Sequence, residues 1–243
     1  MKKSIALFIS LMLVLGLAAC GSDQQTQDTK ALASESASET TPKSETSEES
    51  VSETTQDTGS NRLVVYFSMP ETSSPDNMTQ EEDNSAVVID GEVLGNTQYV
   101  AHVIQENTGA DIFRIEPETP YPTDHDTLVN LAADEQDQNA RPALKATIEN
   151  LDQYDTVFIG YPNWWGDMPM ILYSFFDEHD FSGKTIIPFN THGGSGFSNT
   201  INTIMELEPE ADVHEDGFTV SRNDVQDAEP DIISWIAENG FTD

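Results

Sequence analysis

Read as apolar and polar positions, the chain changes character twice. Residues 4–17 are almost all apolar, residues 21–60 offer scarcely anything to bury, and from residue 61 short apolar runs alternate with longer, sparser patterns. Four runs in that last region, "LVVYFS" (63–68), "DIFRIE" (111–116), "TVFIGY" (156–161) and "KTIIPFNT" (184–191), are bounded by turn residues. Such near-continuous runs predict strands buried on both faces of a parallel sheet, and "HEDGFTV" (214–220) is a weaker fifth. Between them lie helical patterns at 97–107, 168–178, 199–206 and 225–239, with a further one near 126–136. In the first, Tyr99, Val100, Val103 and Ile104 share one face, and in the last Ile232, Ile233 and Ile236 do. Alternating strands and helices predict a three-layer, doubly wound α/β domain with right-handed crossovers. In such domains ligands lie beyond the carboxyl ends of the strands.

The amino end carries different information. Lys2 and Lys3, the apolar run and "LAAC" (17–20) resemble a bacterial lipobox, which implies cleavage before Cys20 and a diacylglycerol thioether on its sulfur. The run is too short to be a membrane-spanning helix, which needs roughly 20 residues. The expected organisation is a signal peptide at 1–19, a lipid-anchored tether at 20–60 and a folded domain at 61–243. The tether, acidic and rich in Ser and Thr, cannot offset the entropy of ordering and is expected to be disordered. A coil of about forty residues reaches roughly 35 Å. It would hold the domain off the outer face of the cell membrane.

A formal net charge of −34 excludes nucleic acid and anionic lipid surfaces as partners, so the lipid must supply membrane attachment. Cys20 is the only cysteine, which leaves the domain neither a disulfide nor a thiolate metal site. The five histidines, His102, His125, His179, His192 and His214, have no ligand spacing, and no metal is expected. "DHD" (124–126) reads as a solvated helix start.

Three segments that follow strands carry the candidate chemistry. Ser68 and the later "GNT" (95–97), opening a helix, suit a phosphate held by free amides and the positive end of a helix dipole, though Asn or Thr before a helix also serves as a plain N-cap. Trp164 and Trp165, in "YPNWWGDMP" (161–169), offer flat faces for an aromatic ligand, or else a plug under the loop or a protein contact. "THGGSG" (191–196) is either a flexible turn or a loop whose backbone approaches a planar ligand closely. Together they describe a site for a mononucleotide with an aromatic ring system.

With these motifs, "VVYFS", "GNT", "YDTVFIGYPNWWGDMP" and "GKTIIPFNTHGGSG", residues 61–243 resemble the flavodoxin-like family, and within it the flavodoxin-domain lipoproteins of Gram-positive bacteria. The resemblance implies a five-stranded parallel sheet of order 2-1-3-4-5 with FMN at its carboxyl edge. It assigns the phosphate to Ser68, Gly95, Asn96 and Thr97. It sets Pro162, Asn163, Trp164, Trp165, Gly166 and Asp167 along one side of the isoalloxazine. Thr191, His192, Gly193, Gly194, Ser195, Gly196 and Phe197 fall along the other. It further implies that the Gly166–Asp167 peptide turns over when the flavin is reduced. The family's unbroken phosphate loop is here divided by residues 69–94. Either that insertion folds out as a hairpin, "AVVID-G-EVL" being suggestive, and leaves the loop ends adjacent, or Thr72, Ser73 or Ser74 contact the phosphate. A second insertion, 117–145, would overhang the site, with Tyr121 either a contact or packing.

The expected activity is electron transfer or quinone-type reduction on FMN, with no side chain required as acid or base. FMN and nicotinamide nucleotides are made inside the cell, which favours a redox partner in or on the membrane. Two other readings compete. "HGGSG" suggests an esterase oxyanion loop, but a nucleophile elbow around Ser195 needs glycine at 197, where Phe197 stands. A surface binding module without FMN would use the tryptophans as its platform.

Overall fold

The computed structural model describes residues 61–242; the expected signal peptide, tether and Cys20 lie outside the described residues. Strands β1 (Arg62–Tyr66), β4 (Asp111–Arg114), β5 (Thr156–Pro162) and β6 (Thr185–His192) pair in parallel in the order β4-β1-β5-β6. The far edge departs from the expected single fifth strand. It consists of β7 (Asp212–Val213), which pairs with Thr185 and Ile186, and β8 (Phe218–Ser221), which pairs with residues 189–192, making six strands in all.

Pro188 explains the break. The Ile186 carbonyl accepts from His214 N at 2.8 Å and the His192 carbonyl from Arg222 N at 2.8 Å, so even-numbered residues of β6 face this edge. Pro188 therefore presents a missing N–H there, and the ladder lapses opposite it. Gly217 fits the gap, since a Cβ on it would collide with the Pro188 carbonyl.

Side-chain alternation along the strands builds the two cores. Leu63, Val65, Phe67, Val157, Ile159, Tyr161 and Ile186 point to one face, under helices α4 (Met170–Glu178) and α5 (Thr200–Leu207). Val64, Tyr66, Phe158, Ile187 and Phe189 point to the other, under α2 (Asn96–Thr108) and α6 (Glu229–Glu238). Gly160 on β5 has no side chain because the Phe189 ring occupies that space. The helix expected over 225–239 is a 3-10 turn at Val225–Asp227 followed by α6, with Pro230 in the first turn, where a missing N–H costs nothing.

Both insertions fold. The first forms α1 (Gln80–Ser85), started by a Thr79–Glu82 capping box, then the hairpin β2 (Ala86–Ile89) and β3 (Glu92–Gly95). Asp90 (φ 52°) and Gly91 (φ 85°) are both left-handed, as a two-residue hairpin turn of this kind requires. The hairpin returns the chain so that Gly95 lies against Ser68; a Cβ there would meet Ser68 Oγ. The second insertion carries α3 (His125–Asp137), capped by Asp124, whose Oδ1 accepts from Thr127 N at 3.0 Å. Among the described residues no helix is long and apolar enough to cross a membrane.

Candidate functional site

A cleft of about 260 Å³ opens at the carboxyl ends of β1, β5 and β6, where the sheet order places it. One end is built by β1 and α2. Ser68, Asn96 and Thr97 are buried polar residues lining it, and Thr97 Oγ1 lies 2.8 Å from Thr191 Oγ1, joining the start of α2 to the end of β6. Asn96 Nδ2 donates to the Asn84 carbonyl at 2.9 Å, while its buried Oδ1 has no partner among the described residues. A buried acceptor left unpaired costs roughly 1–3 kcal/mol, and a ligand hydroxyl or ordered water would recover it.

The tryptophan loop forms a side wall. Trp164 and Asp167 exchange two backbone hydrogen bonds, N to O at 2.9 and 3.0 Å, around a tight turn in which Trp165 (φ 55°) and Gly166 (φ 81°) are both left-handed. The turn separates the tryptophans. Trp164 packs edge-on against Phe67 (5.5 Å) and Tyr121 (5.7 Å), so it is partly the plug, while Trp165 is 60% exposed and anchored only by Nε1–H donating to the Val129 carbonyl at 3.2 Å. Asn163 ties this loop to the glycine loop: its Nδ2 donates to the Gly196 carbonyl at 3.0 Å and its Oδ1 accepts from Gly166 N at 3.1 Å.

Thr191, His192 and Gly193 make the opposite wall. His192 Nδ1 accepts from Gly194 N at 2.8 Å, which puts the ring proton on Nε2, and burial holds its pKa below the ordinary value, with Asp224 opposing. The Arg222 guanidinium lies along Gly193, its Cζ 3.3 Å from where a Cβ would sit. It lines the cleft and makes no ion pair or side-chain hydrogen bond among the described residues.

Of the expected site residues, Ser68, Asn96, Thr97, Pro162, Asn163, Trp164, Trp165, Thr191, His192 and Gly193 come together on the cleft. Gly95, Gly166, Asp167, Gly194, Ser195, Gly196 and Phe197 do not line it. Gly95 supports Ser68 from behind. Asp167 faces away from the lining, accepting from Tyr173 Oη at 2.8 Å and Met168 N at 2.7 Å. Turning over the Gly166–Asp167 peptide would break the Asp167 N–H bond to Trp164. Phe197 packs on the core. Thr72, Ser73 and Ser74 are not among the lining residues, so the arrangement follows the hairpin alternative.

The cleft also holds residues that patterning missed: Glu71, Glu81, His125, Leu128, Val129, Ala132 and Arg222. A signal was present for one group, because 125, 128, 129 and 132 follow the i, i+3, i+4, i+7 spacing of a single helix face. Tyr121, between Pro120 and Pro122, is buried, donates to Glu135 Oε2 at 2.8 Å and serves as packing beneath Trp164. No three His, Cys, Asp or Glu side chains among the described residues are grouped to hold a metal ion.

Fold and cleft together define a doubly wound α/β protein with a ligand site at its carboxyl edge. The flavodoxin family model matches residues 86–238, and the chain belongs to the flavodoxin family. Among solved structures, a candidate flavoprotein of Bacteroides eggerthii is 29% identical with a TM-score of 0.56, over 73% of this chain and 96% of its own. A second, from Bacteroides uniformis, is 26% identical with a TM-score of 0.53, over 74% of this chain and 99% of its own. A flavoprotein of Lactobacillus acidophilus, solved in complex with FMN, is 18% identical with a TM-score of 0.48, over 71% and 97%. No curated protein matches the chain.

Proposed function

We propose that the cleft binds FMN and that the protein transfers electrons to a quinone-type acceptor at the outer face of the cell membrane, anchored through lipidated Cys20. Family membership supports a flavin. The observation that carries the reading is the convergence, on one cleft, of the α2 amino end, an exposed tryptophan face and a glycine loop. The unpaired buried Asn96 Oδ1 fits a polyhydroxyl ligand, which would supply the missing donor.

Ser68, Asn96 and Thr97, with the free amides of the first turn of α2, would hold the phosphate. Trp164, Trp165 and Pro162 on one side, and Thr191, His192 and Gly193 on the other, would enclose the ring and exclude water from it. FMN, when bound, supplies one- and two-electron chemistry that no side chain here provides. The surrounding acidity disfavours negative charge on a bound group; the Arg222 guanidinium and the Gly193 backbone oppose that effect locally.

The test is to load the protein with FMN, reduce it anaerobically with dithionite and mix it with a water-soluble quinone. Stoichiometric reoxidation is expected. A protein that takes up no FMN, or whose reduced form is inert to quinone, contradicts the reading.

A further inference from the structure

Glu71, in the first insertion, and His125, at the start of α3 in the second, meet across the cleft, with His125 Nδ1 3.1 Å from both carboxylate oxygens. A carboxylate can only accept, so Nδ1 carries a proton toward it. The Glu71 side chain is 8% exposed and that of His125 42%, so the carboxylate is sequestered behind the ring while the imidazole stays accessible. Both partners are fixed from their own side: Glu71 N donates to Ser85 Oγ at 2.8 Å, and the Asp124 cap fixes the start of α3. Leu128, Val129 and Ala132 continue the His125 face of α3 along the cleft, and Trp165 is bonded to that helix through Val129. A titratable group therefore stands at the end of an apolar wall, beside the site read above as a flavin pocket.

Resting on that reading, we propose that His125 is the proton donor to the quinone-type acceptor and that Glu71 is its positioning residue. Reducing a quinone to its hydroquinone takes two electrons and two protons. A reduced flavin held in the cleft would supply the two electrons and one proton as a hydride equivalent. His125 gives the second proton from Nε2: an N–H bond breaks, an O–H bond forms at the carbonyl oxygen, and water reprotonates the ring from its exposed side. Glu71 accepts from Nδ1–H and so orients the ring with Nε2 as the donating atom. Glu81 and Arg222 line the same cleft, and Asp124 and Asp126 flank His125 at the start of α3.

The test uses the FMN-loaded protein, reduced with dithionite and mixed by stopped flow with benzoquinone, which takes up protons, or ferricyanide, which takes only electrons. His125→Gln is expected to slow the benzoquinone reaction at least ~10-fold, as loss of a general acid does, and to leave ferricyanide reoxidation and FMN affinity unchanged. Glu71→Gln should lower the benzoquinone to ferricyanide rate ratio in the same direction, and added imidazole should restore benzoquinone reactivity to His125→Ala. An unchanged benzoquinone rate overturns the proposal. Equal slowing of both acceptors overturns it in favour of a clamp between the insertions. A wild-type protein that binds no FMN defeats the underlying reading as well, and that result is distinct from the other two.

Discussion

The two tryptophans should separate cleanly under substitution. Trp165 has a left-handed backbone, which costs a non-glycine residue roughly 1–2 kcal/mol. Trp165→Gly relieves this, gives back about 0.5–1 kcal/mol in backbone entropy, and loses one exposed hydrogen bond worth about 0.5–1.5 kcal/mol. The sum is near zero. Trp164→Ala instead removes a half-buried ring packed on Phe67 and Tyr121; a fully buried Trp→Ala costs about 3–5 kcal/mol, and partial burial brings this to about 2–3 kcal/mol. For a domain of this size that is roughly a 4–12 °C fall in Tm. Loss of the exposed stacking face in Trp165→Gly, worth about 0.5–1.5 kcal/mol, should weaken FMN binding roughly 2- to 13-fold. Urea denaturation without FMN and fluorescence titration with it measure the two effects. Destabilisation by Trp165→Gly as large as that by Trp164→Ala, or an unchanged FMN affinity, would refute this division of roles.

Four further outcomes are expected. Gly160→Ala forces a methyl group into the Phe189 ring and should cost about 1–3 kcal/mol in urea denaturation, with overpacking as the cause. Burial first, then Asp180 and Asp177, push the Glu208 carboxyl up to about 7; its folded form therefore holds a proton more tightly than the unfolded chain, and stability present below about pH 4.5 is lost as pH rises through about 7. Glu208→Gln should accordingly stabilise the protein at pH 8, by about 1 kcal/mol after discounting for solvent screening, and make no difference at pH 4. Arg222→Gln, by removing the one guanidinium against Gly193, should weaken FMN binding up to about fivefold and shift the flavin potential to more negative values in a redox titration. Cys20→Ala should move the protein from the membrane fraction to the medium; retention at the membrane would refute the lipid anchor.

The alternating layers were legible because β1, β5 and β6 are buried on both faces and read as unbroken apolar runs. The hairpin was legible from Asp90 and Gly91, whose residue types match the turn they make. What escaped was non-local. Nothing in the sequence of β6 alone shows that Pro188 faces the edge strand, so the split into β7 and β8 needed the register. The tryptophan pair appeared as one feature because sequence does not reveal that a left-handed turn sends the two rings in different directions. Glu71 and His125 are 54 residues apart in two insertions, and only their folding brings them together. Arg222 is one isolated charge in sequence and acquires meaning from lying on Gly193.

The most direct test of the central claim is a titration of the protein with FMN, following flavin and tryptophan fluorescence together. Saturable binding of one FMN per chain is expected, with both signals quenched and binding weakened by Asn96→Ala as well as by Trp165→Gly. Absence of binding at micromolar FMN would contradict it and leave a flavodoxin-family domain whose cleft serves another ligand.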